Sequence, residues 1–357
     1  MSYINQIATA VPEIEYTQSE LLEFMVQSLK PDKDQSRKMQ LIYDRSTIKT
    51  KYSSLTDFKK ESKSKRLYTN FSSNGPLVEN RMHVYMQDAP ILAAKAIKKL
   101  SIDLKSVTHL ITVSCTGMAA PGIDILLVKQ LELHPEITRT SINFMGCYAA
   151  IHAFKQADSI CKADSEAIVL VVCVELCSLH YKPGLDIENT AANMLFGDGA
   201  AAAIISSKKT DSKSLKISGF YSLIEFSGET DMAWSISSNG FLMHLSAYIP
   251  QLIEKGIKNL VTKSLSKSKI AVENITHWAI HPGGRKILEC IENEININNN
   301  KIKYSYDVLK NYGNMSSPTI LFVLEKIWNE IEVDSKNIFC ASFGPGLTLE
   351  TMLLQNV

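Results

Sequence analysis

Long hydrophobic runs are missing from this 357-residue chain. No stretch of roughly eighteen apolar residues occurs, so no membrane span is predicted. An excess of one charge is missing too. Lys and Arg number 38 against 37 Asp and Glu, and a net charge of +1 implies no general affinity for nucleic acid or a membrane surface. Paired cysteines are absent. The seven (Cys115, Cys147, Cys161, Cys173, Cys177, Cys290 and Cys340) form no CxxC, which argues against a disulfide framework and against a structural zinc, so no metal site is predicted. The start, Met1-Ser2-Tyr3-Ile4-Asn5-Gln6, lacks the basic segment and apolar core of a secretion signal, which points to the reducing cytoplasm. What remains is ordinary for a globular protein, with 45% hydrophobic and 21% charged residues and length enough for one or two domains.

Apolar spacing at helical period predicts helices over 19–30, 90–100, 122–133, 250–265, 284–295 and 317–331. Short, nearly continuous apolar runs predict buried strands at 108–115, 142–145, 167–176, 200–205, 278–281, 338–343 and 347–354. Strands covered on both faces by helices make a layered α/β protein. The polar stretch 208–216 suggests a divide, giving halves 1–210 and 211–357. Segments 263–269 and 296–300 read as surface loops, and the basic segment 57–66 as loop or solvated helix face.

Three positions carry candidate chemistry. In Asn143-Phe144-Met145-Gly146-Cys147-Tyr148-Ala149-Ala150, a strand-like run ends at a glycine and helix formers follow. A thiol at a helix start can be ionised by the helix dipole, although a single Cys at such a junction also reads as buried core. His281 ends an apolar strand and precedes Pro282-Gly283-Gly284, which leaves backbone room for a ligand; a His bonded to a loop carbonyl fits as well. Asn314, in Tyr312-Gly313-Asn314-Met315-Ser316-Ser317-Pro318, could donate an amide to an oxyanion or serve only in the approach to a helix capped by Ser316 or Ser317. Cys, His and Asn in this order, each beside glycine, suggest a condensing enzyme.

Together these segments resemble the type III polyketide synthases, the chalcone synthase-like family. The likeness rests on Gly146-Cys147-Tyr148-Ala149, Leu195-Phe196-Gly197-Asp198-Gly199-Ala200, His281-Pro282-Gly283-Gly284, Tyr312-Gly313-Asn314-Met315-Ser316-Ser317 and Phe343-Gly344-Pro345-Gly346-Leu347-Thr348. It extends to Ser114-Cys115-Thr116-Gly117 and Arg45-Ser46-Thr47-Ile48-Lys49. The resemblance implies a thiolase-like α/β fold, an αβαβα five-layer sandwich of two related halves, assembled as a homodimer. It implies Cys147, His281 and Asn314 as the triad, with a starter acyl-CoA loaded on Cys147 and extended by malonyl-CoA, and with no cofactor beyond the coenzyme A thioesters themselves. By the same likeness Phe196 is a gatekeeper. Arg45, Lys49 and Lys51 contact CoA phosphates, Gly283 and Gly284 let pantetheine pass, and Phe343, Gly344, Pro345 and Gly346 form the cyclisation loop.

Several positions depart from the plant pattern. Met243 stands for a second gatekeeper Phe, Trp234 for a cavity-opening Gly and His180 for a small Thr, while Cys115 and Ala120 replace other lining residues. Ser342 replaces the first Gly of the Gly-Phe-Gly-Pro-Gly loop. These changes resemble bacterial relatives that make pyrones, resorcinols or tetrahydroxynaphthalene. The alternatives are a ketoacyl-acyl carrier protein synthase III-like enzyme, a Cys-dependent thioester hydrolase, and a non-catalytic acyl-CoA-binding dimer.

Overall fold

Side chains alternate across a strand, so a strand apolar at every position must be covered on both faces. The computed structural model follows this rule, and describes residues 1–59, 62, 64–68, 75–210, 213–246, 248–332 and 336–357. Residues 60, 61 and 63 of the basic segment and 211 and 212 of the polar divide lie outside the described residues. The strands are β1 (Tyr3–Ala10), β2 (Ile14–Thr17), β3 (Thr50–Ser53), β4 (His109–Ser114), β5 (Thr138–Asn143), β6 (Ile168–Leu176), β7 (Asp198–Ser206), β8 (Leu215–Ile224), β9 (Met232–Ser237), β10 (Gly240–Leu245), β11 (Ile275–Ile280), β12 (Asn337–Gly344) and β13 (Thr348–Asn356). The helices are α1 (Gln18–Leu29), α2 (Lys33–Arg45), α3 (Val78–Ile97), α4 (Ile123–Gln130), α5 (Ala149–Ala163), α6 (Ile187–Leu195), α7 (Ile249–Ser268), α8 (Arg285–Ile295), α9 (Asn299–Tyr312) and α10 (Thr319–Glu330). Along β6, Val169, Val171 and Cys173 enter one core while Leu170, Val172 and Val174 enter another. Along β12, Ile338 and Cys340 part from Phe339 and Ala341 in the same way.

Nine strands run in the order β11-β12-β13-β8-β1-β7-β6-β4-β5. The order repeats. In the first half β4 pairs parallel with β6, β6 antiparallel with β7, and β7 antiparallel with β1. In the second half β11, β12, β13 and β8 repeat those three relations. The halves join where Tyr3 and Ile4 meet Lys216 and Leu215. Helices α5 and α10 share one core with the inward faces of both halves. Residues Ile320 to Leu324 of α10 are all buried, as a helix between two sheets requires. Helix α3 covers the outer face of the first half and α7 that of the second, which completes the αβαβα layering.

Some elements differ from the sequence reading. The helix expected from 90 starts at Val78 and passes through Pro90, because the apolar face of Val84, Tyr85 and Ala89 continues upstream and packs on the core. The expected loop 263–269 is mostly the last turns of α7, whose buried Ser264 and Leu265 hold it helical despite the Lys and Ser content. Of the expected loop 296–300, the last two positions open α9. Short strands β2, β3, β9 and β10 and helix α2 escaped detection, being polar or only half buried.

Truncating Leu324, wholly buried in the middle layer, to Ala should lower the unfolding free energy by about 2–5 kcal/mol. Urea denaturation checks this; an unchanged midpoint would contradict the middle-layer packing.

Candidate active site

Cys147 lies just before α5, whose N-cap is Tyr148. The turn that presents it is tight. Gly146 has φ +94°, and a Cβ there would sit 2.4 Å from Cδ of Pro345. Phe144 also takes positive φ, at 61°. Two neighbours fix this turn. The Gly146 amide donates to Sγ of Cys115 at 3.0 Å, and a Cβ on Gly344 would meet the Tyr148 ring at 2.5 Å. The Gly-Pro-Gly loop therefore braces the nucleophile turn through close packing that only glycine allows.

Asn314 reaches the same place from the other half. Its Nδ2 and Oδ1 both lie 3.9 Å from Cys147 Sγ. The Ser316 amide donates to Oδ1 at 2.8 Å, which turns the NH₂ group toward the cavity. Backbone bonds lock the segment to the stretch after α6. Asn314 N donates to the Leu195 carbonyl at 3.0 Å, and Gly197 N to the Asn314 carbonyl at 2.9 Å. A Cβ on Gly313 would fall 2.6 Å from the Leu195 carbonyl, so this approach also needs glycine. Neither Ser316 nor Ser317 caps α10 as expected. Pro318 holds the N-cap position, and Ser317 instead donates to Glu175 at 2.6 Å.

His281 follows β11, anchored by its amide to the Ala341 carbonyl at 2.8 Å. Its side chain is buried, and neither ring nitrogen has a hydrogen-bond partner among the described residues. A buried imidazole with both nitrogens unmatched is aimed at something else. Cys147, His281 and Asn314 all line one cavity of about 710 Å³. Burial pushes the Cys147 thiol up to about 11, against the lowering effect of Ser316 and Asn314, and pulls His281 down to about 3. Both shifts favour the uncharged forms, so burial at Cys147 outweighs the ionising effect expected of the helix dipole.

The other expected positions separate. Phe196, Met243, Trp234, His180 and Cys115 line the cavity. His180 stacks on Phe241 at 4.2 Å and 12°, bonds the Thr116 carbonyl at 2.7 Å and accepts from the Phe241 amide at 3.2 Å. Trp234 donates to the Cys115 carbonyl at 3.1 Å. This aromatic group closes one side of the cavity. Ala120 is a correction. It sits in the exposed turn 118–121 and does not line this chain's cavity. Arg45, Gly283 and Gly284 line the cavity, and nothing lies within 4 Å of where a Gly284 side chain would start. Lys49 is exposed outside it. Lys51 lines the cavity too but is 5% exposed, and its Nζ bonds two backbone carbonyls rather than facing solvent. Phe343 and Pro345 line the cavity, whereas Gly344 and Gly346 shape the loop behind them.

Sequence reasoning missed two buried charges. Glu175 accepts from the amides of Cys115 and Thr116, at 2.8 and 3.0 Å, and from the hydroxyls of Thr116 and Ser317. Its signal was an acid inside the apolar run Val-Cys-Val-Glu-Leu. Arg81 is buried and donates to the carbonyls of Leu179, Tyr181 and Asn239, holding the segment of His180 to the β9–β10 hairpin.

The repeated sheet order and the buried middle helices, with a cavity where they begin, define a thiolase-like condensing enzyme. Residues 2–209 match the family model for the N-terminal domain of chalcone and stilbene synthases, and residues 222–357 that for the C-terminal domain. The chain belongs to the chalcone and stilbene synthase family; it is a type III polyketide synthase, an acyltransferase that condenses CoA thioesters with decarboxylation. It is similar to the alpha-pyrone synthesis polyketide synthase-like Pks18 of Mycobacterium tuberculosis, 31% identical over 364 residues that cover 99% of this chain and 91% of the relative. The probable polyketide synthase 1 of Dictyostelium discoideum is 29% identical over the whole chain, which spans 11% of that longer protein. Among solved structures, PKS-I from the brown alga Ectocarpus siliculosus superposes with a TM-score of 0.93 at 28% identity, covering 100% of this chain and 98% of that one. The C-terminal type III polyketide synthase domain of Steely1, a type I/III hybrid from Dictyostelium, gives 0.92 at 28%, covering 100% and 99%. No helix among the described residues is long and apolar enough to cross a membrane.

Gly146→Ala should cost about 1–3 kcal/mol from the positive φ alone, and should slow alkylation of Cys147 by iodoacetamide severalfold. Wild-type stability and wild-type labelling would show that the turn is not constrained.

Proposed function

We propose that this enzyme loads an apolar acyl starter from its CoA thioester onto Cys147 and extends it with malonyl-CoA to an α-pyrone. The observation that carries the reading is the convergence of the Cys147 thiol, the Asn314 amide and the unpartnered His281 imidazole in one cavity. In loading, Cys147 gives its proton to His281 as sulfur attacks the thioester carbonyl. The C–S bond to CoA breaks, and the proton passes to the departing CoA thiolate. An imidazole that burial keeps uncharged suits this role, since it must first accept a proton. Malonyl-CoA then loses carbon dioxide. The negative charge left on its thioester oxygen is met by donors from Asn314 and His281, fixed in place before the reaction. The enolate carbon attacks the acyl–Cys147 thioester, and Cys147 leaves as thiolate. The β-ketoacyl-CoA so formed reloads on Cys147 with release of CoA, and a second malonyl-CoA extends it in the same way. An enol oxygen of the resulting chain closes on the terminal thioester carbonyl to form the ring as CoA leaves as the thiol.

The starter's apolar character is supported by the cavity walls contributed by Leu21, Phe24, Met25 and Ile42. A short product is supported by Trp234 and the stacked His180–Phe241 pair, which occupy space a longer chain would need, and by the name of the mycobacterial relative. Phe196 serves as the gate, with Arg45, Gly283 and Gly284 on the CoA path. The half 1–210 supplies the nucleophile and the half 211–357 the His and Asn. We further propose that the enzyme works as a cytoplasmic homodimer.

Asn314→Ala should reduce carbon dioxide release from malonyl-CoA about 10²–10³-fold, the usual cost of one oxyanion donor. A loss below threefold would remove Asn314 from the chemistry. Opening the wall with Trp234→Gly should shift products to longer polyketides by mass spectrometry; an unchanged product mass would mean that Trp234 does not limit length.

A further inference from the structure

Lys51 is buried in β3, 5% exposed, yet no carboxylate pairs with its ammonium in a salt bridge among the described residues. Its Nζ donates instead to the carbonyls of Asn193 at 2.6 Å and Phe196 at 2.7 Å. Asn193 belongs to the last turn of α6 and Phe196 is its C-cap. Carbonyls there have no partners within the helix and carry its negative dipole end, so a cation is the group that best satisfies them. The route to this place is shaped for the lysine stem. A Cβ on Gly197 would lie 3.4 Å from Lys51 Cβ, and one on Gly313 would lie 3.2 Å from Lys51 Cδ. The side chain passes between these two glycines.

Those glycines flank the functional pair. Phe196 and Asn314 form a parallel bridge, with Asn314 N bonded to the Leu195 carbonyl and Gly197 N to the Asn314 carbonyl. Holding the end of α6 therefore holds both the wall residue Phe196 and the backbone of Asn314, whose amide faces Cys147 at 3.9 Å. We propose that Lys51 is a positioning residue for the condensation: its ammonium, threaded between Gly197 and Gly313, clamps the end of α6 and so sets where Phe196 and Asn314 stand across the cavity. Burial pulls the ammonium down to about 7, while Asp198 and Cys177, the ionisable groups facing it, act in the opposite sense. With two of its three protons given to carbonyls and 5% of the residue exposed, the amine has little left to offer a CoA phosphate.

The inference rests on the reading that Asn314 stabilises the enolate, and the test separates the two. Lys51→Met keeps the stem and removes the clamp. It should load starter on Cys147 to the wild-type extent by intact-mass measurement. Its kcat for malonyl-CoA extension should fall at least tenfold, with KM within threefold. Lys51→Arg, which restores a charged donor, should recover a third or more of the wild-type kcat. Wild-type kcat in Lys51→Met overturns the proposal, as does a tenfold rise in KM at unchanged kcat, the mark of a phosphate contact. An equal loss in Lys51→Arg and Lys51→Met overturns it as well. If Lys51→Met does not fold, Lys51→Gln is measured in the same way, and wild-type kcat there overturns it. An Asn314→Ala variant that extends normally sinks the enolate reading itself, whatever Lys51 does.

Discussion

Two helices in the middle layer begin at the same cavity, and the site depends on that constraint. Helices α5 and α10 share one buried core between the sheet halves. Neither N-terminus is capped by a side chain. Their positive dipole poles lie beside Cys147 and the 314–318 segment. Negative charge that develops on sulfur or on a thioester oxygen falls where two helix dipoles favour it. Residues 167 positions apart in sequence thereby meet at 3.9 Å. Moving either helix by a fraction of its pitch would separate them, so the packing of Ile151, Phe154, Ile320 and Leu324 is a condition of the chemistry as well as of stability.

Buried polar groups hold the loops that the helices do not reach. Glu175 gathers donors from the 115–116 turn and from Ser317, and Asp198 accepts from Ser54 and Ser178 at 2.7–2.8 Å. Burial drives the Asp198 carboxyl up to about 6 even against those donors. Arg81 and Lys51 perform the converse task, supplying donors to carbonyls that would otherwise be unmatched. Each of these groups would be costly if left alone in the interior, and each becomes a specific tie once its partners are present. The result is a cavity whose walls come from both halves but whose positions are set by few degrees of freedom.

Much of the layering was legible because the strands are apolar on both faces. Runs such as Ile168–Leu176 and Asn337–Gly344 have no polar face to confuse the assignment. The three chemical positions were legible for a different reason: glycines stand close to each, Gly146 and Gly313 directly beside Cys147 and Asn314 and Gly283 two residues after His281. Helix α2 was missed because it is polar overall, with only Met39 and Tyr43 buried, and β9 and β10 because they are half-buried. Pro90 misled because proline usually starts a helix, whereas here tertiary packing keeps the helix running through it. Lys51 shows the limit of reading charge from sequence. By likeness it belonged with Arg45 and Lys49 on CoA phosphates, and only the path between two distant glycines reveals that it turns inward.

The central claim is that the sulfur of Cys147, among seven thiols, carries the growing chain. Incubation with an acyl-CoA starter alone, followed by proteolysis and peptide mass spectrometry, tests it most directly. The account predicts one thioester adduct per chain, on the peptide that contains Cys147. An adduct on another cysteine, or none while products still form, would contradict it.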